Sequence, residues 1–328
     1  MRILILGSGS FAGQALFAHF MANGLDVFGI NRSPIKQKFH WEWLEKYSKE
    51  QIKWYELNLN IESDKFIGLI KDINPTHIVD FMGQGMVAQS WKDPKLWYST
   101  NIAEKAYLLE NIRNLDSLEK YVRASTPEVY GSNLKFINEK QPFNPSTPYA
   151  VSHSAIDQHI RCLGREYDFP FAIGRFSNFY GEGQQLYRVI PRTILSCLTG
   201  KEFILDGRGL SKRFFINSED IVSSIKLLMF HSDNYCEYNF SGNEEISILD
   251  LVKLICKLTN TEFSNIVKFG PERKGKDMYY RLDCSKANND FAWSPKIDIN
   301  TGITKTVDWI SRNLSFLSKD EWNYIHQK

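Results

Sequence analysis

Short apolar runs alternate with helix-length segments along the first half of this chain, and that alternation restricts the possible folds severely. Residues 2–6 (RILIL) form a buried-strand pattern that breaks at glycines and resumes as a helical pattern through Ala15, Leu16 and Phe20. The apolar run recurs as LDVFGI (25–30), THIVDFMG (76–83), KYVRAST (120–126) and FPFAIGRFS (169–177). Segments 61–73, 101–114 and 149–167 lie between these runs and have the length of helices. Strands alternating with such helices predict an α/β chain with a doubly wound parallel sheet covered on both faces. Ligands of such sheets bind outside the carboxyl ends of the strands, so the residues just after each run are the candidates for chemistry. Past residue 180 the loops lengthen. Residues 177–328 are expected to form mainly a smaller C-terminal lobe intertwined with the first domain, 1–176, with some segments returning to it.

Composition narrows the class. The chain has 328 residues, 43% of them apolar, enough for a sizeable core, and a net charge of +2 with both signs interspersed. That balance gives no reason to expect nucleic acid or an anionic membrane as a partner. The dense basic run Arg273-Lys274-Gly275-Lys276 reads as a solvated loop or a phosphate contact. Five scattered cysteines without a CxxC or paired histidines argue against a disulfide framework or a metal site, and for a reducing compartment. The opening apolar run is too short for a signal peptide or a membrane span, so a cytoplasmic protein is expected.

The turn after the first run is LGSGSFAG, with Gly7, Gly9 and Gly13. Glycines between a strand and a helix let backbone amides approach a pyrophosphate at the helix N-terminus. In this context the pattern signals a dinucleotide. Where a NAD site often has an acidic residue after the second strand, this chain has Asn31-Arg32, which tilts the cofactor toward NADP.

These motifs resemble the extended short-chain dehydrogenase/reductase superfamily, in particular its nucleotide-sugar 4,6-dehydratase and epimerase branch. The resemblance runs nearly end to end. GSGSFAG matches the glycine loop, with Ser10 in place of the middle glycine, and THIVDFMGQGMVAQSWKDP matches the fourth-strand motif, with Gly83, Gln84 and Gly85. RASTPEVYG, SNFYG (177–181), SKRFFINSEDI and RKGKDMYYRLDCSKA match further motifs in order. The resemblance implies a Rossmann-like fold with tightly held NAD(P). It assigns Gly7, Gly9, Ser10, Phe11, Gly13, Asn31, Arg32, Asn58, Leu59, Gly83, Gln84, Asn101, Tyr149 and His153 to the cofactor. A nucleotide-diphosphate sugar would meet Gln84, Ser90, Thr126, Asn178, Arg213 and Arg281, the two arginines at the diphosphate. A homodimer is also implied, pairing through segments 101–114 and 149–167, whose patterns include Ile102, Ala106, Leu109, Ile156 and Ile160, enough apolar spacing for two faces.

The implied catalytic residues are Thr126, Glu128, Tyr149 and His153. Oxidising a sugar carbinol needs a base for the hydroxyl proton and a nicotinamide for the hydride. A phenol near its ordinary pKa of ~10 is a poor base at neutral pH. In the resembling proteins a lysine four residues beyond the tyrosine lowers that pKa, and here the position holds His153, which is neutral at pH 7 and provides less field. Tyrosine activation is therefore expected to be weakened but present. Glu128 matches the carboxylate that removes the C5 proton of the 4-keto sugar. Pro127 stands where some relatives carry an acid for the leaving hydroxyl. The expected reaction is 4,6-dehydration. The alternatives are 4-epimerisation, or a catalytically impaired protein that binds a nucleotide sugar without turnover.

Overall fold

The computed structural model describes residues 1–271 and 279–326, so the basic run Arg273-Lys274-Gly275-Lys276 lies outside the described residues. The strands are β1 (Arg2–Leu6), β2 (Asp26–Asn31), β3 (Trp54–Glu56), β4 (His77–Asp80), β5 (Lys120–Ser125), β6 (Phe171–Phe176), β7 (Asn178–Tyr180), β8 (Phe203–Asp206), β9 (Lys212–Asn217), β10 (Cys236–Phe240), β11 (Glu245–Ser247) and β12 (Val267–Gly270). The longer helices are α1 (Phe11–Ala22), α2 (Ser63–Ile73), α3 (Lys105–Ile112), α4 (Pro148–Tyr167), α5 (Val189–Thr199), α6 (Ser218–Phe230), α7 (Ile248–Leu258) and α8 (Ile299–Arg312).

Among the described residues seven parallel strands form the central sheet, in the order β10-β6-β5-β4-β1-β2-β3. This is the expected doubly wound α/β sheet, and the strand order reverses between β1 and β4, where such sheets place their ligand crevice. Side-chain alternation sorts the core into two layers. Ile3, Ile5, Val79 and Val122 face α1 and α6, whereas Leu4, Leu6, Ile78, Tyr121 and Ile173 face α2, α3 and α4. Each fully buried aliphatic side chain contributes about 1.5–3 kcal/mol. Two strands of this sheet went unrecognised in the sequence. β3 is only three residues, and β10 lies far along the chain yet returns to pair with β6.

A second core gathers Tyr180 of β7 with Ile190, Ile194, Leu251, Ile255 and Trp309 from α5, α7 and α8 around small sheets β11-β9-β7 and β12-β8. The chain crosses between the two cores repeatedly, since α6 and β10 lie on the central sheet while β9 and β11 flank them in sequence within the second. Among the described residues, no helix is long and apolar enough to cross a membrane.

One stretch departs from a regular helix. Residues Ser99–Glu104 form a π-helical turn leading into α3. The apolar residues of the two segments expected to pair divide between faces: Leu109, Ile156 and Ile160 are fully buried in this chain's own core, whereas Ile102 and Ala106 are partly exposed. Period 3.6 alone does not say whether an apolar face meets its own sheet or a second copy.

The carboxyl ends of β4, β5 and β6 carry charged residues on the α4-facing side, at the next alternation after the apolar layer. Asp80 accepts from Lys105 Nζ at 2.6 Å, Tyr121 at 2.7 Å and Arg123 Nη1 at 3.3 Å. Asp157 on α4 accepts from Ser125 at 2.7 Å and Arg175 Nη2 at 3.1 Å, with Arg123 Nε at 3.9 Å. Arg175 Nη1 also reaches Glu237 at 2.7 Å, and Arg161 pairs with the same carboxylate. Burial pushes the Asp80 carboxyl up, but Lys105 and Arg123 outweigh it and hold the pKa below the usual value. Burial and then Arg123 pull Lys105 down to about 8 against the attraction of Asp80.

Asp80→Ala leaves Lys105 and Arg123 buried without the carboxylate they share. Unfolding stability in urea at pH 7 should fall by about 3–5 kcal/mol, the usual cost of breaking a buried pair from one side. A loss below about 1 kcal/mol would show that the two cations find other compensation.

Candidate active site

The site assembles at the strand ends around the β1/β4 crevice. Ser10 caps α1, its hydroxyl accepting from Gly13 N at 3.1 Å, and Phe11 begins the helix. Gly7 has φ +72°, and a Cβ there would lie 2.9 Å from Met82 N, so the loops after β1 and β4 touch. A Cβ on Gly13 would meet Gly7 O at 2.4 Å, and one on Gly9 would meet Asn31 Nδ2 at 2.3 Å. The glycine loop therefore lies flat against the N-terminus of α1 with Asn31 beside it, a cradle that fits a dinucleotide pyrophosphate. Asn31 Nδ2 donates to Ser33 O at 2.9 Å, which leaves its Oδ1 as an acceptor, and Arg32 is exposed.

Other cofactor candidates line the neighbouring loops. Asn58 Oδ1 accepts from Asn60 N, and Leu59 is buried beside it. Gly83 and Gln84 follow β4. Asn101, on the π turn, accepts from Gln84 N at 2.7 Å and donates to Gln84 O at 3.1 Å and Ser152 Oγ at 3.0 Å. Its amide ties the β4 loop to the turn of α4 just before His153. π turns of this kind recur at functional sites. The Ser90 hydroxyl is buried and donates to Val87 O at 2.7 Å.

Tyr149 sits in the first turn of α4 because Thr147 caps that helix, accepting from Ala150 N at 3.1 Å, and Pro148 occupies its first position. His153 is one turn on, and the two rings stand 4.5 Å apart between centroids. The 3₁₀ turn Pro127–Tyr130 after β5 carries Glu128, and Thr126 caps it, accepting from Glu128 N at 3.3 Å. Burial first and then the Glu128 carboxylate push the Tyr149 phenol well above its ordinary pKa, while hydrogen bonding by Thr126 and the charges of Arg188 and Arg123 oppose them. Thr126 thus bonds to the phenol, and the charge of Glu128 bears on it through space. Burial, then Arg123 and Lys105, keep His153 well below the usual histidine pKa. Its ring is neutral.

Two cations that bear on Tyr149 were missed in the sequence. Arg188 precedes α5 in the second lobe, inside a loop with no distinguishing pattern. Arg123 was visible as a lone charge within the apolar run KYVRAST, and in the structure its Nη2 lies 3.0 Å from His153 Nδ1. The C-terminal Tyr324 also reaches this region, edge-on to Tyr187 at 5.0 Å and within the field of Arg32 and Arg188.

The substrate candidates of the second lobe are brought together by the β11-β9-β7 sheet. Asn178 is exposed on β7, opposite Phe215 of β9. Arg213 on β9 is mostly buried, its guanidinium 4.5 Å from the Tyr280 ring. Arg281 forms a two-pronged pair with Glu245 of β11 at 2.7 and 2.8 Å, so its fork already holds a carboxylate.

Comparison with known proteins agrees with this geometry. The family model for GDP-mannose 4,6 dehydratase matches residues 4–306. The dTDP-glucose 4,6-dehydratase of Haemophilus influenzae is 28% identical over 96% of this chain and 99% of its own, and the mouse dTDP-D-glucose 4,6-dehydratase is 27% identical over 95% and 89%. A crystal structure of dTDP-glucose 4,6-dehydratase from Bacillus anthracis in complex with NAD superposes with a TM-score of 0.84 at 25% identity, covering 96% of this chain and 98% of that one. UDP-glucose 4-epimerase from Thermotoga maritima, solved with UDP-glucose, shares the fold with a TM-score of 0.86 at 24% identity, over 96% and 100%. With its parallel sheet, glycine cradle and tyrosine-bearing helix, the chain belongs to the GDP-mannose 4,6-dehydratase family, within the nucleotide-sugar dehydratase and epimerase branch of the extended short-chain dehydrogenase/reductase superfamily.

Proposed function

We propose that this protein is a nucleotide-sugar 4,6-dehydratase that converts an NDP-hexose into its 4-keto-6-deoxy form. The observation that carries the reading is that Thr126 caps the turn bearing Glu128 and also bonds to Tyr149, at the start of its helix. Tyr149 takes the proton of the C4 hydroxyl, and Thr126 holds the same oxygen. A nicotinamide dinucleotide held by the glycine loop, Asn31 and the residues around Tyr149 would supply the redox chemistry, as hydride acceptor and then donor with no net change over a turnover. With C4 a ketone, the C5 proton is acidic; Glu128 removes it and passes a proton to the C6 hydroxyl, which leaves as water. The C5–C6 double bond is then closed by the hydride at C6 and by a solvent-derived proton returned to C5 through Glu128, balanced by release of the C4 hydroxyl proton from Tyr149 to solvent. Pro127 cannot donate, so Glu128 serves both steps. Arg213 suits the diphosphate, since a guanidinium pairs with two phosphate oxygens at once.

Glu128→Gln tests this assignment against 4-epimerisation, which leaves C5 untouched. In deuterated buffer the wild type should incorporate solvent deuterium at C5 of an NDP-hexose and form a product with the alkaline absorbance of a 4-keto sugar. The variant should lose both by ~10²–10⁴-fold, as should Tyr149→Phe, the usual range for removing a general acid or base. A C4 epimer without deuterium at C5 would assign the epimerase reaction. No turnover of any nucleotide hexose would leave a binding protein.

The cofactor is proposed to stay bound through turnover, because the reaction has no net redox change. Asn31 Oδ1 suits a ribose hydroxyl, whereas Arg32 suits a 2′-phosphate, and the closer packing of Asn31 on the glycine loop favours NAD. Denaturing pure protein should release NAD or NADH. Release of NADP would reverse the weight of the two residues, and release of neither dinucleotide, with no stabilisation by adding one, would sink the cofactor assignment.

A homodimer fits the outer surface formed by Tyr98, Ile102 and Ala103, with the exposed Tyr107 and Val151 on α3 and α4. Light scattering at micromolar concentration should give twice the chain mass. A monomer would refute it.

A further inference from the structure

We propose that Arg123 is a positioning residue for Tyr149: it fixes His153 as the Nε2-protonated imidazole and supplies, from behind that ring, the positive charge that residue 153 itself does not carry. The inference rests on the reading of Tyr149 as the base.

The donor chemistry sets the tautomer. A guanidinium has only donors, so the 3.0 Å contact between Arg123 Nη2 and His153 Nδ1 requires Nδ1 to accept. A neutral ring accepting at Nδ1 must carry its proton on Nε2. Both side chains are buried, Arg123 at 1% and His153 at 7% exposed, so the contact is not competed by bulk water. Burial together with Arg123 and Lys105 disfavours a second ring proton. His153 is thereby held as a single species across the neutral range.

The charge follows from the groups around it. Asp80 and Asp157 partly offset Arg123, but each also serves another cation, Lys105 and Arg175 respectively. At pH 7 Lys105, Arg123, Arg161 and Arg175 against Asp80, Asp157 and Glu237 leave the cluster one cation in excess; Lys105, pulled down to about 8, gives up its charge as pH rises, whereas Arg123 keeps its own. Tyr149 is faced by Glu128 from the 3₁₀ turn, Arg188 from the second lobe, His153 from its own helix and Arg123 from β5. Glu128 opposes the phenolate, and Arg188 and Arg123 favour it. Of the two, Arg123 is the one placed on the strand beneath α4 and in contact with His153. A positive charge at residue 153 is thus replaced by one entering from the sheet. His153→Lys alone would set an ammonium against Arg123, so the informative variant moves the charge instead of adding one.

Four full-length proteins decide the matter: wild type, Arg123→Gln, His153→Lys and Arg123→Gln/His153→Lys. First, long-range 1H–15N correlation on histidine-labelled wild type reads the tautomer, with His153 identified by its missing signals in His153→Lys. The Nε2-protonated neutral ring is expected from pH 6 to 9. An Nδ1-protonated ring, or protonation near the ordinary pKa of ~6.5, overturns the pairing. Second, kcat/KM across pH 6 to 10 reads the charge. In Arg123→Gln the rising limb should move to higher pH by about one unit or more, a tenfold or greater loss at pH 7 that closes as pH rises. The nucleotide-sugar KM should hold. The double variant should recover to within about threefold of wild type at pH 7, a coupling that loss of packing alone does not produce. A pH-independent loss, or a double variant no better than Arg123→Gln, assigns Arg123 a structural role only and overturns the charge assignment. Failure of Arg123→Gln to fold leaves the double variant and the tautomer as the deciding measurements. Should the wild type turn over no nucleotide sugar, the functional reading fails separately, and the tautomer still decides the pairing.

Discussion

The Asp80 carboxylate, fully buried at the end of β4, holds the α4-facing side of the sheet together. Around it a helix residue, a tyrosine and a strand arginine meet in one place, Lys105, Tyr121 and Arg123. Charges without solvent tolerate little displacement, because each lost contact exposes the desolvation cost of the group left behind. The cluster therefore fixes how α3 and α4 lie on the sheet, and with them the π turn bearing Asn101 and the first turn bearing Tyr149. Register does the remaining work, since Asp80 lies opposite Arg123 and Ser125 opposite Arg175 in the parallel ladder.

Beyond this side, the site is completed by a chain that leaves the first core and comes back. Arg188 reaches toward Tyr149 from the second core, and β9 and β11 bring Arg213 and the Arg281–Glu245 pair onto one small sheet. Because α6 and β10 return to the central sheet, the second core cannot move as a freely hinged body; two of its sequence neighbours are part of the first. The crevice is thereby lined from both cores.

His153 illustrates how a substitution within a motif can be absorbed by its surroundings. The ring is uncharged and buried, with Arg123 directly behind it and Lys105 in the same field. A strand arginine in an apolar layer would be costly by itself. Here it is one member of a paired network, held between Asp80, Asp157 and the His153 ring.

The alternation of apolar runs, the glycine loop and the order of the motifs were enough to read the α/β class, the parallel sheet and the family. These are local signals: side-chain period, glycine at a close approach, a capped helix carrying Tyr149 four residues before His153. What local pattern could not settle is which side of an apolar helix meets what: Leu109, Ile156 and Ile160 belong to the chain's own core, and spacing alone did not tell that face from an outer one. It also could not reveal that β10 joins the edge of the central sheet from beyond residue 230, because nothing local encodes that pairing. Arg123 and Arg188 are the same case at the site. They stand 26 and 39 residues from Tyr149 in the chain, and their effect on it exists only through the strand register and the packing of the second core, where distance and desolvation rather than spacing set the strength of a charge.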